Sequence, residues 1–489
     1  MRLFAPSGRS GIITAHSVVM MLVLASAAPA LAQTHPSDAG STDSSDQSNA
    51  VLQKKIEAMQ GQVTSLNSEV AELRQDQTQP ASNGAWQFNY ANGFTVQDGQ
   101  DFTLKVNGLL DARYTYVDAD NHTSLTNTAL GTAPVGDLSG FSLNTAQLAL
   151  SGSVYQHVLF KVMGNFGSTS SFTAPTAGTF QLNEAWGAFS FSPELNIRAG
   201  SVIIPIIPLK TIANYGGSEF PDVSDVTVPF APGYGLGADV YGFVDHQRFS
   251  YDLMLGNGSN SQNLVDSAVN GAGRDNRLSA YTREQYAGSG TVPEFNDDPD
   301  LQDHSHLAWI LGAGFGYESQ NSAASAFPGS QTATAIPGFS AASGPGYLAG
   351  KYALDGNLYR AAIDFRTKYQ GWSTFTELLY QDVASEAGPI VPGSTRTEIG
   401  QLGYFVQSGY FLVPRHFEVA ARFGELYTLS FPHHMDEYTL GLNYYFVGEN
   451  MKVQLAETYV PQAAALTSGN GSLVNTEDWT TELQLQVKF

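Results

Sequence analysis

The feature that most constrains this chain is a two-residue alternation of apolar and polar side chains, which continues from about residue 101 to Phe489. Over residues 102–116 the even positions carry apolar side chains, aromatic side chains or glycine, and the odd positions include Lys105, Asp111 and Arg113. Because successive side chains of a strand point to opposite faces, the pattern predicts many strands with one apolar and one polar face. The alternation recurs at residues 359–366, 417–423, 438–446 and 483–489.

A soluble β-sandwich and a membrane β-barrel share this alternation, so other features must separate them. Tyr and Phe concentrate at the ends of the predicted strands, as in the interfacial girdles of membrane barrels. Short turns, such as 192–194 and 447–450, alternate with long polar loops. A mean hydropathy of −0.14 and the lack of a long apolar run beyond the N-terminal segment exclude a helical membrane protein. We therefore predict an all-β fold, an antiparallel transmembrane β-barrel over residues 101–489.

The strand count follows from parity. The alternation yields fifteen strands between residues 101 and 489, whereas a bacterial single-chain barrel has an even number. Counted inward from the two ends, the short turns fall out of phase between residues 320 and 355, so we place a sixteenth strand there. Sixteen strands are wide enough to enclose an aqueous channel.

The N-terminus has the pattern of a secretory signal peptide, residues 1–32. Arg2 and Arg9 form a basic start, residues 11–28 are apolar, and Ala30-Leu31-Ala32 gives a small-x-small cleavage pattern. We expect the mature chain to begin at Gln33, with an uncleaved anchor helix as the alternative. Residues 33–50 are polar and predicted to be disordered. Export of a chain without cysteine suits an oxidising compartment, and an exported barrel predicts the outer membrane of a Gram-negative bacterium.

Residues 51–76 show a seven-residue repeat instead. Their apolar positions are spaced alternately by four and three residues, which predicts a short α-helical coiled coil followed by a linker at 77–100. Ile and Val at one seam position and mostly Leu at the other favour two parallel helices, and a single amphipathic helix lying on the barrel is the alternative. The seam residues are Leu52, Ile56, Met59, Val63, Leu66, Val70 and Leu73.

Charge and local motifs exclude several functions. The net charge of −22 argues against a nucleic-acid partner, since phosphate binding needs clustered Lys and Arg. Residues 294–306 hold five carboxylates and two histidines, which suggests a cation site, but their spacing matches no EF-hand and a solvated extracellular loop is the simpler interpretation. No local motif presents an activated nucleophile or a pair of catalytic acids. We expect no catalytic residue, no cofactor and no metal site.

Three segments of the last third of the chain share a distinctive pattern: GYFVQSGYFL at 403–412, YTLGLNYYF at 438–446 and LQLQVKF at 483–489. In these residues the chain resembles the porin O and P family, the phosphate-selective outer-membrane porins. The resemblance covers roughly residues 101–489 and is strongest in the C-terminal third. It implies a sixteen-stranded homotrimeric porin whose third loop, here 205–231, folds into the lumen. That loop would present the constriction residues Lys210, Glu219, Asp222 and Asp225.

Alternation also assigns the charged side chains that would line the pore. An anion filter needs Arg and Lys along a narrow bore, but this set is mixed, and residues 144–147 read Asn-Thr-Ala-Gln where family members carry an Arg pair. Acidic loops around the mouth, above all residues 258–304, would raise the local cation concentration. The pore-lining candidates are Lys105, Asp111, Arg113, Lys161, Glu184, Arg198, Arg360, Asp364, Arg366, Glu377, Glu418 and Arg422.

Together these features predict a porin for passive diffusion of small hydrophilic solutes or ions, with no enzymatic activity. The resemblance implies phosphate or other anions as solutes, whereas the acidic loops predict a weak cation preference. The expected partners are outer-membrane lipid and further copies of the chain in a homotrimer. The alternative is a structural protein whose coiled coil tethers the envelope while the barrel serves as its anchor.

Overall fold

The computed structural model of the chain describes residues 86–90, 93–99, 101–119, 138–167, 180–258, 278–320, 335–337, 347–349, 356–385, 395, 397–429, 434–466 and 473–489. The expected signal peptide, disordered segment and coiled-coil seam lie outside these residues. Within the described part, no helix combines the length and hydropathy that a membrane crossing requires.

Sixteen antiparallel strands form one closed β-barrel, which confirms the predicted architecture. Each strand pairs with the next along the chain, and the last pairs with the first, from Leu109 opposite Lys488 to Ala119 opposite Asp478. The barrel wall therefore has no free edge. Its strands are β3 (Phe102–Ala119), β4 (Leu138–Val154), β5 (Val158–Asn165), β6 (Gln181–Ser192), β7 (Leu195–Ile203), β8 (Tyr234–Val244), β9 (Phe249–Gly256), β10 (Ser279–Ser289), β11 (Ala308–Gln320), β14 (Gly356–Tyr369), β15 (Trp372–Ser385), β16 (Glu398–Val413), β17 (Phe417–Thr428), β18 (His434–Tyr445), β19 (Met451–Leu466) and β20 (Leu473–Lys488).

The expected position of the sixteenth strand is wrong. The missing strand is β10, which pairs with β9 and β11 within the residues assigned to a long acidic loop. Thr282 and Glu284 occupy its outward face, so the apolar alternation that marks the other strands is broken there. Of residues 320–355, the described ones beyond the end of β11 form a small separate hairpin, β12 (Ala335–Pro337) and β13 (Tyr347–Ala349).

Two further strands, which precede the barrel in sequence, continue its sheet at the turn end, next to the last residue of the chain. β1 (Trp86–Tyr90) pairs with β2 (Phe94–Asp98), and β2 pairs with the start of β3. These strands fall within residues 77–100, where the sequence suggests a linker. Phe489 exchanges two backbone hydrogen bonds with Gly108, and β2 takes over from β20 as the partner of β3 just below that point. A side chain at position 108 would lie 2.2 Å from the Phe489 ring, so the glycine makes room for the terminal aromatic residue.

The two rims of the barrel differ. At the turn end, which carries Phe489, most connections have two to five residues, as between β6 and β7. At the loop end, which lies opposite, several connections are much longer. Two long connections fold into the barrel: the inward loop (residues 204–233, loop end) and the inward turn (residues 290–307, turn end).

The outer surface of the barrel is an apolar band. Leu253, Ile363 and Leu440 are each about half exposed, at 49%, 52% and 54%. Some carboxylates also face outward, among them Glu284 and Glu457, which accept hydrogen bonds from the neighbouring Thr282 and Thr481. An apolar band between aromatic rows is the surface that membrane barrels present to lipid. The outward Tyr and Trp side chains of the strands are Tyr114, Tyr116, Tyr251, Tyr286, Trp309, Tyr317, Tyr359, Tyr369, Trp372, Tyr380, Tyr404, Tyr410, Tyr427, Tyr438, Tyr444, Tyr459 and Trp479.

Candidate functional site

The inward loop folds into the lumen because it is too apolar to remain in water. Its short helix α1 (Pro208–Asn214) begins with a proline, which suits the first helical position. Leu209 and Ile212 of α1 pack against Phe375 and Phe405, which point inward from β15 and β16. Burying an apolar side chain of this size contributes about 1.5–3 kcal/mol, so these contacts hold the helix against the wall.

Glycines in the wall receive the rest of the loop. A Cβ atom at Gly441 would lie 2.8 Å from the Phe220 ring, and one at Gly403 would lie 2.7 Å from a methyl group of Val226. Both loop side chains are fully buried. A larger side chain at either glycine would therefore displace the inward loop from its position against the barrel wall.

Polar contacts fix the course of the loop backbone. Lys452 Nζ donates to the Ser218 carbonyl oxygen at 2.7 Å, and Asn443 Nδ2 donates to that of Glu219 at 2.8 Å. The loop thus has both apolar and hydrogen-bonded attachments to β15–β19.

A further polar attachment of the inward loop is Arg422. Its Nε lies 2.6 Å from Glu437, its Nη1 donates to the Asp222 carbonyl oxygen at 3.1 Å, and its guanidinium stacks over the Phe220 ring at 4.6 Å. Both members of the ion pair are buried.

Replacing Arg422 by Ala should lower the free energy of unfolding by about 3–5 kcal/mol, because it leaves the Glu437 carboxylate buried without its counter-charge. Urea unfolding of the barrel in lipid vesicles measures the effect. The matched control is Arg415→Ala, since Arg415 is exposed and donates only to the Gln302 carbonyl oxygen at 3.2 Å. Equal losses in the two variants would contradict the assigned role of Arg422.

The far end of α1 reaches the opposite wall. The Tyr215 hydroxyl donates to Glu184 on β6, and Lys161 Nζ on β5 lies 3.1 Å from both Tyr215 Oη and Glu184 Oε1. Burial and the Glu184 charge raise the pKa of Tyr215 well above its usual range, so the phenol keeps its proton. The inward loop therefore spans the lumen from β15 and β16 to β5 and β6.

The inward turn meets the inward loop from the other rim. Asp298 N donates to the Gly217 carbonyl oxygen at 2.8 Å, and Glu219 N donates to Asp298 Oδ2 at 3.3 Å. Gln407 Nε2 donates to both carboxylates, at 3.2 Å and 3.0 Å. Lys368 Nζ holds the turn through the Glu294 carbonyl oxygen at 2.9 Å. The lumen is thus narrowed from both rims, and the two segments touch at a pair of carboxyl groups.

This carboxyl pair is buried and electrostatically unfavourable. Burial raises the pKa of Glu219 well above its usual range, and the nearby Glu418 and Asp298 raise it further. Burial also raises the pKa of Asp298, to about 6, against the lowering effect of its hydrogen bonds. The contact is therefore most favourable when at least one of the two groups is protonated.

The inward turn also corrects the interpretation of residues 294–306. The segment lies at the turn end rather than in a solvated extracellular loop, and Asp298 and Asp300 are buried. Asp300 Oδ2 accepts the Gly371 backbone N–H at 2.8 Å, and its Oδ1 lies 2.5 Å from His304 Nδ1. Its polar groups are thus used to hold the turn in place. Among the described residues, no group of three or more acidic or histidine side chains has the arrangement of a metal site.

Among the charged side chains on β5–β9 near the inward loop, carboxylates outnumber cations. Arg198 Nε lies 3.0 Å from Asp239, and Arg198 Nη2 lies 3.3 Å from Asp252. Lys161 is paired with Glu184 at 3.1 Å. These two cations on β5 and β7 therefore face three carboxylates. On the inward loop, the Asp222 side chain is 59% exposed although its carboxylate accepts a hydrogen bond from Arg113 at 2.7 Å.

The sequence-derived candidates occupy two environments. Those on β14–β17 are buried beneath the two inward segments: Arg360, Asp364, Arg366, Glu377, Glu418 and Arg422. Asp111, Arg113 and Glu184 are buried as well, whereas Lys105, Lys161 and Arg198 are partly exposed. Among the constriction-loop candidates, Glu219 is buried and Lys210, Asp222 and Asp225 are at least partly exposed. Inward charged residues outside that set include Asp239, Asp252, Arg283, Asp298, Asp300, Glu318, Lys368, Glu437, Lys452 and Glu482.

Comparison with known proteins finds only distant relatives. No protein-family model and no curated protein matches the sequence. Among solved structures, an anion-selective porin from Comamonas acidovorans aligns with a TM-score of 0.49 at 11% identity, over 80% of this chain and all of that one. The outer-membrane channel DcaP of Acinetobacter baumannii gives 0.45 at 11% identity, over 80% and 98%. OprB of Pseudomonas putida gives 0.44 at 11% identity, over 80% and 94%. These similarities are too distant to assign the chain to a family.

Proposed function

We propose that this chain is an outer-membrane porin through which small hydrophilic solutes and ions diffuse passively. The observation that carries the proposal is a closed sixteen-stranded barrel with an apolar band outside and charged side chains inside, narrowed by a loop that crosses the lumen. A barrel of this size encloses water, and its outer band is chemically suited to lipid. A simple envelope anchor would need neither a charged lumen nor a loop across it.

The membrane and the orientation follow from the same features. Closed barrels with an even number of antiparallel strands, short turns at one rim and longer loops at the other belong to outer membranes of Gram-negative bacteria. The turn end with Phe489 would face the periplasm, and the loop end would face the outside.

We place the ion preference of the pore on the cation side. The partly exposed Lys161 and Arg198 are already neutralised by Glu184, Asp239 and Asp252. The inward loop presents Asp225 and the Asp222 carboxylate, which Arg113 neutralises in part, to the bore. The resemblance to phosphate-selective porins points the other way, but an anion filter needs unpaired Arg and Lys along the narrow part. Exposed carboxylates attract cations over about a Debye length, roughly 8 Å at physiological salt.

The test is the reversal potential of single channels in a KCl gradient across a planar bilayer. The wild type should prefer cations weakly, and the preference should fade at high salt because screening strengthens. Replacing Asp222 and Asp225 together by Asn should move the reversal potential towards the anion side. Glu425→Gln serves as control, since Glu425 bonds Tyr427 on the outer face at the loop end. Anion preference in the wild type, or block of its chloride current by dilute phosphate, would refute the assignment and support a phosphate porin.

The porin is proposed to work as a homotrimer. A heptad seam from Leu52 to Leu73 has no apolar partner within one copy of its own segment, so it favours self-association. The seam residues alone favour two helices, but barrels that pack side by side bury far more area than three heptads. We therefore expect barrel contacts to set the number of copies.

A further inference from the structure

The junction of the inward loop and the inward turn contains more hydrogen-bond acceptors than donors. All of the side chains concerned are buried, with at most 6% exposure. Because a buried acceptor without a partner is costly, the junction is chemically suited to a group that binds oxygen atoms. The oxygens that accept no hydrogen bond from any described residue are Glu418 Oε1, Asp298 Oδ1, Gln407 Oε1 and Asn443 Oδ1.

Two carboxylates at the junction converge on Gly409, which faces inward from β16. A Cβ atom at this glycine would lie 2.5 Å from Glu418 Oε1, 2.7 Å from Glu219 Oε1 and 2.9 Å from Ser373 Oγ. The atoms nearest to this space are therefore oxygens, and they come from three separate segments: β17, the inward loop and β15. A larger residue at position 409 would fill the space on which they converge.

The hydrogen-bond donors of the junction are directed at other atoms. Tyr445 Oη and Asn443 Nδ2 both donate to Glu418 Oε2, at 2.7 Å and 2.9 Å. The second oxygen of that carboxylate, Oε1, is the one that lies near Gly409. Fully buried and without a partner among the described residues, it points at the carboxylate of Glu219.

Two lysines near the junction are bonded to other carboxylates. Lys452 Nζ lies 2.8 Å from Glu449 Oε2, and Lys368 Nζ lies 2.5 Å from Asp297 Oδ1. Neither lysine forms an ion pair with the carboxylates that converge on Gly409. The negative charge at this point is thus reduced by distant cations but not neutralised by a bonded one.

A buried group of charged and neutral oxygens has the chemistry of a calcium site. Ca²⁺ binds about six to eight oxygens at about 2.3–2.6 Å and tolerates irregular geometry, whereas Mg²⁺ demands a nearly regular octahedron. Softer metals prefer nitrogen or sulfur ligands, and the side chains named above supply only oxygen. In the part of the chain that the structure describes, no three acidic side chains form a metal site by themselves, so neutral oxygens have to complete this one.

We propose that Glu219, Glu418 and Ser373 bind a calcium ion beside Gly409, and that this ion holds the inward loop against β15–β17. Two carboxylates match the charge of one divalent cation, and the Ser373 hydroxyl and water supply neutral ligands. Asp297, which borders the junction, has a side chain that is 32% exposed, so the ion can enter from the water of the lumen. The site goes beyond passive diffusion and does not depend on it.

Calorimetric titration of the full chain, refolded in detergent and treated with a chelator, tests the site with calcium chloride. Metal binding displaces carboxyl protons, so the titration is made at mildly alkaline pH. We expect one calcium ion per barrel, and at least about ten-fold weaker binding in Glu418→Gln because the site loses one of its two charged ligands. Glu425→Gln is the matched control, since it makes the same change on the same strand but on the outer face.

A second pair of variants leaves every carboxylate in place. Gly409→Ala puts a methyl group into the space on which the oxygens converge and should abolish binding. Gly400→Ala adds the same group to the outer face of β16, where its nearest neighbour is the flexible end of Leu429, and should bind calcium like the wild type. Heat-dependent gel mobility shows which variants have folded. A folded wild type that binds no calcium, or a folded Gly409→Ala that still binds it, would overturn the proposal.

Single-channel recordings test whether the ion holds the inward loop. Calcium should lower the current noise of the wild type and of Glu425→Gln, but not that of Glu418→Gln. Calcium that binds at the site and leaves the noise of the wild type unchanged would overturn this role. A wild type that binds calcium but passes no ions would refute the porin and support the calcium site, so the two proposals fail separately.

Discussion

Replacing residues 209–229 by a short Gly-Ser linker should raise the single-channel conductance roughly two- to five-fold, because conductance grows with the open cross-section and sixteen strands leave a wide lumen. In the wild type the inward loop crosses that lumen, from Leu209 against Phe375 and Phe405 to Tyr215 at Glu184. Removing it clears both contacts at once. The measurement is single-channel recording in planar bilayers, with heat-dependent gel mobility showing that the barrel has folded.

Point variants give the matched comparison. Phe220→Ala empties the pocket between Ala420 and Ala456 and should give a smaller increase with more current noise. Phe423→Ala removes an aromatic residue of the same size from the outer face of β17 and should leave conductance unchanged. An excision variant that folds but conducts like the wild type would show that the inward loop does not limit the bore.

Raising the pH should loosen the contact between the inward loop and the inward turn. The pKa of Asp298 is raised by burial from 3.8 to about 6, and that of Glu219 is raised well above its usual range by burial and by neighbouring carboxyls. A raised carboxyl pKa means that the folded contact prefers the protonated form. Its stabilising contribution is complete below pH 3.8, and Asp298 loses its share as the pH rises through about 6. Arg366 and Lys368 face the same site and soften the change without removing it.

Conductance and current noise should therefore increase across that pH window. Asp298→Asn keeps the side chain neutral and still allows hydrogen bonds. It should therefore flatten the pH dependence and keep both conductance and current noise low. Asp303→Asn changes an exposed carboxyl of the same turn and should behave like the wild type. A pH response that survives in Asp298→Asn would show that other groups carry it.

The alternation of apolar and polar residues was sufficient to predict most strands of the barrel wall. The alternation at residues 359–366 predicts a strand there, and β14 runs from Gly356 to Tyr369, because its apolar and charged residues alternate without interruption. Strand β10 was missed because Thr282 and Glu284 take the places of apolar residues on its outer face. The same alternation, applied to β18 and β19, would have identified Glu437 and Lys452 as inward.

The interior could not be predicted in the same way. The segment Val292–Phe295 reads locally as a loop, and its burial depends on partners such as Lys368, 74 residues away. Whether Glu377 or Glu418 faces water depends on where the inward loop lies, which is settled by distant pockets at Gly403 and Gly441. Local periodicity predicts which face of the sheet each residue occupies. Contacts between distant segments decide whether a side chain on that face is exposed to water.

Closure of the barrel by its own terminal strands makes assembly an all-or-none event. Arg113 on the first barrel strand and Gln484 on the last form a hydrogen bond although they are 371 residues apart in sequence, so this pairing carries a large loop-closure cost. Until it forms, the sheet has two open edges with unpaired backbone groups, which are templates for aggregation. A polypeptide that lacks even one strand would thus keep two unpaired sheet edges and remain prone to aggregation. We expect envelope proteases to degrade such fragments before they accumulate.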